Sequence, residues 1–455
     1  MLVKFSYLYF AYTLVIFYIV NSVVTVTYMD EIFHVPQALK YYNGIFYEWD
    51  PKITTPPGLY FITNAALLPL SLLTGFDFNK VEYFRLTNVF FTVGIFYLVY
   101  KILRIQQKEV EVRITMLSAL NISMFPVLYF FTFLYYTDCG STYFVLLMYY
   151  WHMKNSYLSA SAAGAVSICF RQTNIVWVFY VAAEESLHYL TIFCKDALAK
   201  KEKQMQVLTF RELTKECRPI WRNNWKEFFK KMFEINCGYI PVAIGFVAFV
   251  LHNGSVALGD KAAHQVCINV PQIFYFLLFV LCFACPYLIS LNQIKEFVNF
   301  VLSRKLYISA VFLFCAYCII NLTHVHPYLL ADNRHFTFYI WRKILGKNSV
   351  VSILLIPLYI YSSWSIIFVI SHKKNLFKII LLFCFIMSIV PQKLLEFRYF
   401  IIPYIMLRIH IRAENKWQPY IEFLLYSSIN FIVLYLFLFK TFTWDNSEET
   451  QRFMW

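Results

Sequence analysis

Apolar runs of helical length, separated by short polar breaks, set the pattern of this chain. Residues 5–26, 84–100, 350–370 and 420–439 each reach bilayer-spanning length, which takes about 20 apolar residues. Shorter apolar runs between them raise the expectation to about 12–14 helices. Residues 59–75 are apolar but short and follow Pro56-Pro57, so they are expected to lie on the membrane surface rather than cross it. Residues 335–347 are ambiguous in the same way.

The polar breaks fall into two sets. One set is basic: Lys4, the 101–113 break with Lys101, Arg104, Lys108 and Arg113, Lys154, the 195–231 stretch, Lys295 with Arg304 and Lys305, His372 to Lys374, and Arg408, Arg412 and Lys416. Residues 195–231 carry eleven Lys/Arg against five Asp/Glu. Basic loops concentrate on the cytosolic side of a membrane, so this set predicts a cytosolic N-terminus. The other set, 28–81, 135–138, 171–174, 253–269, 324–347 and 391–398, then faces the lumen. The organisation expected is an N-terminal membrane module over 1–194 with its structured first lumenal loop, a basic cytosolic loop over 195–235, and a C-terminal module over 236–455.

Composition agrees. The 455 residues are 60% hydrophobic and only 15% charged, a balance no soluble chain of this size could bury. The fold class is an all-α polytopic membrane protein. The net charge of +14 belongs to inter-helix loops, so nucleic acid is not an expected partner, whereas membrane lipids are. The first span carries Tyr, Val and Met where a cleavable leader needs small residues, and reads as a retained anchor. Cys282/Cys285 and Cys315/Cys318 lie in apolar runs and read as buried packing residues rather than metal ligands. Asn253-Gly254-Ser255 is a glycosylation sequon in the lumenal set, with Asn253 the expected acceptor. No internal repeat is present, which argues against transporters built on inverted repeats.

The unusual polar residues all fall in the lumenal set: Asp30, Glu31, Asp138, Arg171, Arg334, Lys393, Arg398 and the histidines His34, His324, His326 and His335. Channels line polar groups through the whole membrane depth and transporters gather them at the midplane. A one-sided cluster of both signs suits an enzyme acting at the membrane face on a lipid with an anionic head. Asp30 or Glu31 is a candidate base or a helix cap, and Asp138 a candidate ligand or a cap for a helix beginning near Cys139. Arg171 is equally an ion-pair partner for Asp138. Arg334 and Arg398 either snorkel to the interface or bind an anion, and lone histidines such as His324 and His326 more often pack than react.

Long segments of the chain resemble one family. They are Asp30-Glu31-Ile32-Phe33-His34-Val35-Pro36-Gln37, the run from Trp49 to Tyr60 with Thr54-Thr55-Pro56-Pro57-Gly58, and Phe170-Arg171-Gln172-Thr173-Asn174. The run from His326 to Tyr339 with Asp332-Asn333-Arg334-His335, the run from Pro391 to Phe400, and the terminal Gln451-Arg452-Phe453-Met454-Trp455 continue the likeness. The sequence resembles the dolichyl-phosphoglucose-dependent alpha-1,2-glucosyltransferases of the endoplasmic reticulum, which add the third glucose to the lipid-linked N-glycan precursor. The resemblance implies a GT-C-type membrane fold and an inverting transfer. No lumenal loop carries an Asp-x-Asp motif of the kind that holds a nucleotide-sugar metal, so nothing in the sequence requires a cofactor or metal. The donor would be dolichyl phosphate glucose and the acceptor a diglucosylated lipid-linked oligosaccharide. It implies a catalytic base in the first lumenal loop, Asp30 ahead of Glu31. Arg334, Arg398, Lys393 and His326 would hold the donor phosphate, and Asp138, Arg171, His34 and Trp49 the acceptor. The chemistry is consistent: a phosphate-activated donor leaves as a stabilised anion, so one base and nearby cations suffice where a glycosidase needs two carboxyls. The competing readings are another dolichyl-phosphate-sugar transferase and a non-catalytic membrane regulatory subunit.

Overall fold

The computed structural model describes residues 2–198, 225–261, 266–445 and 447–455. Of the basic loop expected over 195–235, residues 199–224 lie outside the described residues. The first half runs α1 (Leu2–Val23), α2 (Glu31–Tyr42), α3 (Gly58–Thr74), α4 (Val81–Gln106), α5 (Val112–Ser123), α6 (Pro126–Phe130), α7 (Thr137–Met153), α8 (Tyr157–Phe170) and α9 (Ile175–Leu198). The second half opens with α10 (Trp225–Asn236) and α11 (Tyr239–Asn253). It continues with α12 (Pro271–Phe283), α13 (Cys285–Leu288), α14 (Leu291–Ser303), α15 (Lys305–Asn321), α16 (Pro327–Ala331) and α17 (Phe336–Ile340). Then come α18 (Ser349–Leu354), α19 (Ile356–Val369), α20 (Asn375–Ile389), α21 (Ile401–Arg408) and α22 (Trp417–Phe439).

The protein is a polytopic helical membrane protein, but its spans are more broken than the hydrophobic pattern suggests. Among the described residues, four single helices are long and apolar enough to cross a bilayer, or seven if each of three bent pairs counts as one span. The breaks have local causes. Pro126 opens α6, and the residue before a proline is pushed out of the helical region, as Phe125 is at φ −51°, ψ 121°. α5 and the segment after it therefore meet at 60°. α14 and α15 meet at 97°, with Ser290 capping α14 by accepting the Gln293 N–H. What the pattern gave as a basic loop around Lys295 is thus an amphipathic helix whose Leu291, Ile294, Val298 and Leu302 share an exposed face.

The short apolar run at 59–75 is α3, folded onto α2 and α8. Gly58 permits that approach, because a Cβ there would collide with the Cys169 carbonyl. Residues 335–347 form α17 and a π-helical turn, Trp341–Leu345, rather than a span. Cys315 and Cys318 are buried as expected, but Cys282 is exposed on the apolar perimeter, which corrects the buried reading for that residue.

The centre of the molecule is residues 119–142, buried without interruption although only part is helical. Irregular backbone at this depth needs protein partners for its polar groups. Asn88 supplies them: its amide donates to the carbonyls of Phe131, Leu134 and Tyr136. One β-hairpin departs from the all-helical expectation. β1 (Thr441–Trp444) pairs antiparallel with β2 (Ser447–Arg452), with Phe442 opposite Gln451. The chain then runs beside the 334–336 segment, where Phe336 N–H donates to Met454 and Met454 N–H to Arg334.

Candidate active site

α1 ends at Val23 and the chain turns at Met29, which adopts a left-handed φ of 55°, so that α2 starts at once with two carboxylates aimed differently. Glu31 points inward and is fully buried. Both its oxygens are taken: Arg85 donates through Nε at 2.8 Å and Nη2 at 2.6 Å, and the Tyr28 and Tyr135 N–H groups at 3.0 and 2.5 Å. The rest of the Arg85 fork is bound by the Asn21 side chain and the Val24 and Val26 carbonyls. This pair staples α1, α2, α4 and the 134–136 turn together. Nothing of Glu31 is left for a substrate proton.

Asp30 points the other way. Its side chain is 38% exposed, and its Oδ2 accepts from Arg398 Nη1 at 2.9 Å. It occupies the cap position of α2 yet makes no side-chain cap hydrogen bond. Its backbone N–H donates to the Tyr136 hydroxyl. Burial acts to raise the Asp30 pKa, but the Arg398 guanidinium and its hydrogen bond, with His34 and His335, outweigh it and hold the carboxyl below the usual value.

Arg398 is positioned from three sides. Glu396 accepts from its Nε at 2.7 Å and its Nη2 at 2.6 Å, and its guanidinium lies over the Phe131 and Tyr136 rings at 5.6 and 5.2 Å. Neither Glu396 nor Tyr136 stood out in the sequence. Glu396 has the signal of an acid two residues from a cation, and Tyr136 that of an aromatic two residues before Asp138.

Asp138 and Arg171 form the ion pair weighed from the sequence, at 2.9 Å. The helix starts at Thr137, and Asp138 sits in its first turn without capping it. A narrow, partly open cleft with about 30 Å³ of room lies between the start of α7, the 172–174 turn, the end of α20 and the 397–403 segment. Asp138, Arg171 and Arg398 all line it. The structure thereby gathers Asp30, Asp138, Arg171 and Arg398 into one electrostatically coupled group.

His34 borders that group. It is buried, its Nδ1 is 2.5 Å from the Tyr60 hydroxyl, and its ring packs against Tyr136. Burial pushes its pKa down to about 4, against the pull of Asp30, so the ring is neutral near pH 7. Trp49 packs on Tyr60, and its indole N–H is buried with no hydrogen-bond partner among the described residues.

The remaining candidates lie apart from this group or are already engaged. Arg334 is held bidentately by Asp332 at 2.9 and 2.8 Å, donates to Gln451, and stacks on Trp444. His335, beside it, is bonded to the Trp455 carbonyl and extends the field of Asp332 and Asp30. His326 is buried and caps α16, its Nδ1 accepting the Tyr328 N–H. Lys393 is half-buried on the loop that leads to Arg398. Asn253 ends α11 with its amide donating to the Ser255 and Ala257 carbonyls. Among the described residues, no His/Cys/Asp/Glu group has the arrangement of a metal site.

The sequence matches the DIE2/ALG10 family over residues 24–409. It is 38% identical over 94% of its length to a mouse protein named Dol-P-Glc:Glc(2)Man(9)GlcNAc(2)-PP-Dol alpha-1,2-glucosyltransferase, covering 93% of that protein. Human and Arabidopsis thaliana proteins of the same name are 37% and 32% identical, over 94% and 96% of this chain and 93% and 96% of their own lengths. No solved structure matches the chain.

Proposed function

The chain belongs to the DIE2/ALG10 family, and on that premise we propose that it is an inverting alpha-1,2-glucosyltransferase with Asp30 as its base. It moves glucose from dolichyl phosphate glucose to the 2-hydroxyl of the terminal glucose of Glc(2)Man(9)GlcNAc(2)-PP-Dol. The observation that carries this reading is the Asp30–Arg398 pair at 2.9 Å: a part-exposed carboxylate is bound to a guanidinium that also lines a polar cleft.

The geometry supports a single displacement. Asp30 accepts the proton of the acceptor hydroxyl as that oxygen attacks the anomeric carbon. The bond to the phosphate oxygen breaks on the opposite face, and dolichyl phosphate leaves as an anion that needs no protonation. Arg398 meets the charge that develops there, with a planar fork already oriented by Glu396. Before donor binds, the guanidinium neutralises Asp30 and keeps it a weak base. A phosphate that draws Arg398 toward itself relaxes that hold and raises the basicity of Asp30 at the moment it is required. Arg334 and Lys393 extend the positive field for the donor and His326 is assigned to the same phosphate as a hydrogen-bond donor, while His34 and Trp49 flank the acceptor side.

The fold on which this operates is read as GT-C type. The site is placed on the lumenal face of the endoplasmic reticulum membrane, with the N-terminus cytosolic and Asn253 available for glycosylation. The basic breaks support that sidedness, since Lys416 meets Glu111 and Gln106 meets His410 at the other end of the bundle. The test is transfer by purified protein from synthetic dolichyl phosphate glucose to a diglucosylated lipid-linked acceptor, with and without chelator. A triglucosylated product in both supports the reading, and its absence from folded protein overturns it.

A further inference from the structure

Two buried polar atoms lining the cleft beside Arg398 have no hydrogen-bond partner among the described residues. They are Asp138 Oδ2 and Thr142 Oγ1, on residues 2% and 1% exposed, one turn apart on α7. Such orphans are destabilising unless something else bonds them. Their surroundings are fixed rather than loose. Arg171 holds the other oxygen of Asp138 at 2.9 Å and reaches Thr137 through its Nε. Asn174 is clamped between Ser141 Oγ at 2.7 Å and the Ser167 carbonyl at 2.8 Å.

The ligand class follows from these atoms. A bare carboxylate oxygen repels a phosphate, so the group that meets Asp138 is an uncharged hydroxyl donor. A charged acceptor and a neighbouring hydroxyl suit adjacent hydroxyls of a sugar, and the aromatic residues Trp177 and Tyr399 are also among those lining the cleft. Arg398 lines the cleft and also pairs with Asp30, so a ring bound there lies beside both the base and the phosphate-binding cation. We propose that this cleft receives the hydroxyls of one pyranose ring seated at its opening, with Asp138 Oδ2 and Thr142 Oγ1 bonding them. This rests on the transferase reading and deepens it. The ring is either the glucosyl group of the donor or the terminal glucosyl of the acceptor, since both present the same hydroxyls.

The test is steady-state transfer by Thr142→Val and Asp138→Asn, varying donor and acceptor separately. Thr142→Val keeps shape and leaves the Asp138–Arg171 pair intact, so it decides the matter even where Asp138→Asn folds poorly. A site built to bond a hydroxyl discriminates strongly when the bond is lost, so kcat/KM falls about 10- to 100-fold. In Thr142→Val, which changes no charge, the acid limb of the pH–rate profile, which belongs to Asp30, stays in place. A fall confined to donor kinetics, with relaxed selection against dolichyl phosphate galactose, identifies the donor ring. A fall confined to the acceptor identifies the acceptor ring. Both variants keeping KM for both substrates within two-fold, with unchanged donor selectivity, would overturn the subsite and leave these atoms to bound water. Failure of wild-type protein to transfer glucose would overturn the reaction itself. In that event the thermal shifts given by donor and by acceptor in Thr142→Val against wild type still decide the cleft: a weakened shift with either one supports the subsite, and equal shifts with both reject it.

Discussion

Asp30 and Glu31 are consecutive carboxylates in consecutive ion pairs, and their surroundings give them opposite work. Glu31 is sealed with Arg85, every oxygen engaged by donors from three separated segments. Asp30 keeps a part-exposed side chain, and its cation also borders an open cleft. A closed pair with all hydrogen bonds made is a fixture: removing one partner strands a buried charge, which typically costs about 3–5 kcal/mol. A pair at a cleft mouth is exchangeable, because an incoming anion can replace the carboxylate at the guanidinium with little rearrangement. Arg408–Glu422, fully buried and joined by Asn121 and Tyr287, is a second fixture of the first kind.

The contrast breaks first at Glu31. Glu31→Gln is expected to lower stability by about 3–5 kcal/mol, seen as a large fall in thermal midpoint and in yield of monodisperse protein in detergent. The molecules that do fold should transfer glucose at near wild-type rate. Arg85→Met added to Glu31→Gln should recover part of the loss, because no unpaired charge remains.

Next comes Arg398. Arg398→Lys should reduce kcat and donor kcat/KM together by about 10- to 100-fold, since a point charge does not reproduce a bidentate fork. The same change should move the acid limb of the pH–rate profile upward. The guanidinium holds the Asp30 pKa below its ordinary value, so weakening that hold lets protonation begin at higher pH. A defect confined to the acceptor KM would remove Arg398 from the phosphate site.

His34 adds a smaller effect on stability. Its folded pKa is about 4, below the ordinary value of about 6.5, so the folded state disfavours the proton that the unfolded chain accepts. The contribution is intact above about pH 6.5 and is lost as pH falls toward 4, at up to about 1.4 kcal/mol per unit. Thermal midpoints of wild type and His34→Gln from pH 7 to 5 should converge as pH falls.

Arg334 gives the least. Its fork is already filled by Asp332 and Gln451, so Arg334→Lys should change donor kinetics only a few-fold. A loss as large as that of Arg398→Lys would show that donor binding pulls Arg334 free of Asp332.

Much of this was legible in the sequence. The apolar runs gave a polytopic helical protein, and the polar breaks supplied the residues that converge beside the cleft. Only the family resemblance put Asp30 ahead of Glu31; pattern and spacing could not rank the two acids, because what separates them is Arg85, 54 residues beyond Glu31 and carried there by α4. It could not show that Arg398 is shared by Asp30 and Glu396, a contact across 368 positions in the first case. Broken spans such as α5 and α6 were hidden because hydropathy is blind to a bend at Pro126. The terminal hairpin was readable but passed over: Thr441 to Trp444 are strand formers beside an Asp445-Asn446 turn signal.

The central claim is that Asp30, and not its neighbour, takes the proton. Single-turnover transfer per folded molecule, measured for Asp30→Asn beside Glu31→Gln with saturating donor and acceptor, addresses it most directly. The account predicts that Asp30→Asn folds normally, binds both substrates and loses about 10²- to 10⁴-fold in rate, while folded Glu31→Gln stays within a few-fold of wild type. A near-normal rate in Asp30→Asn, or a comparable loss in folded Glu31→Gln, would contradict it.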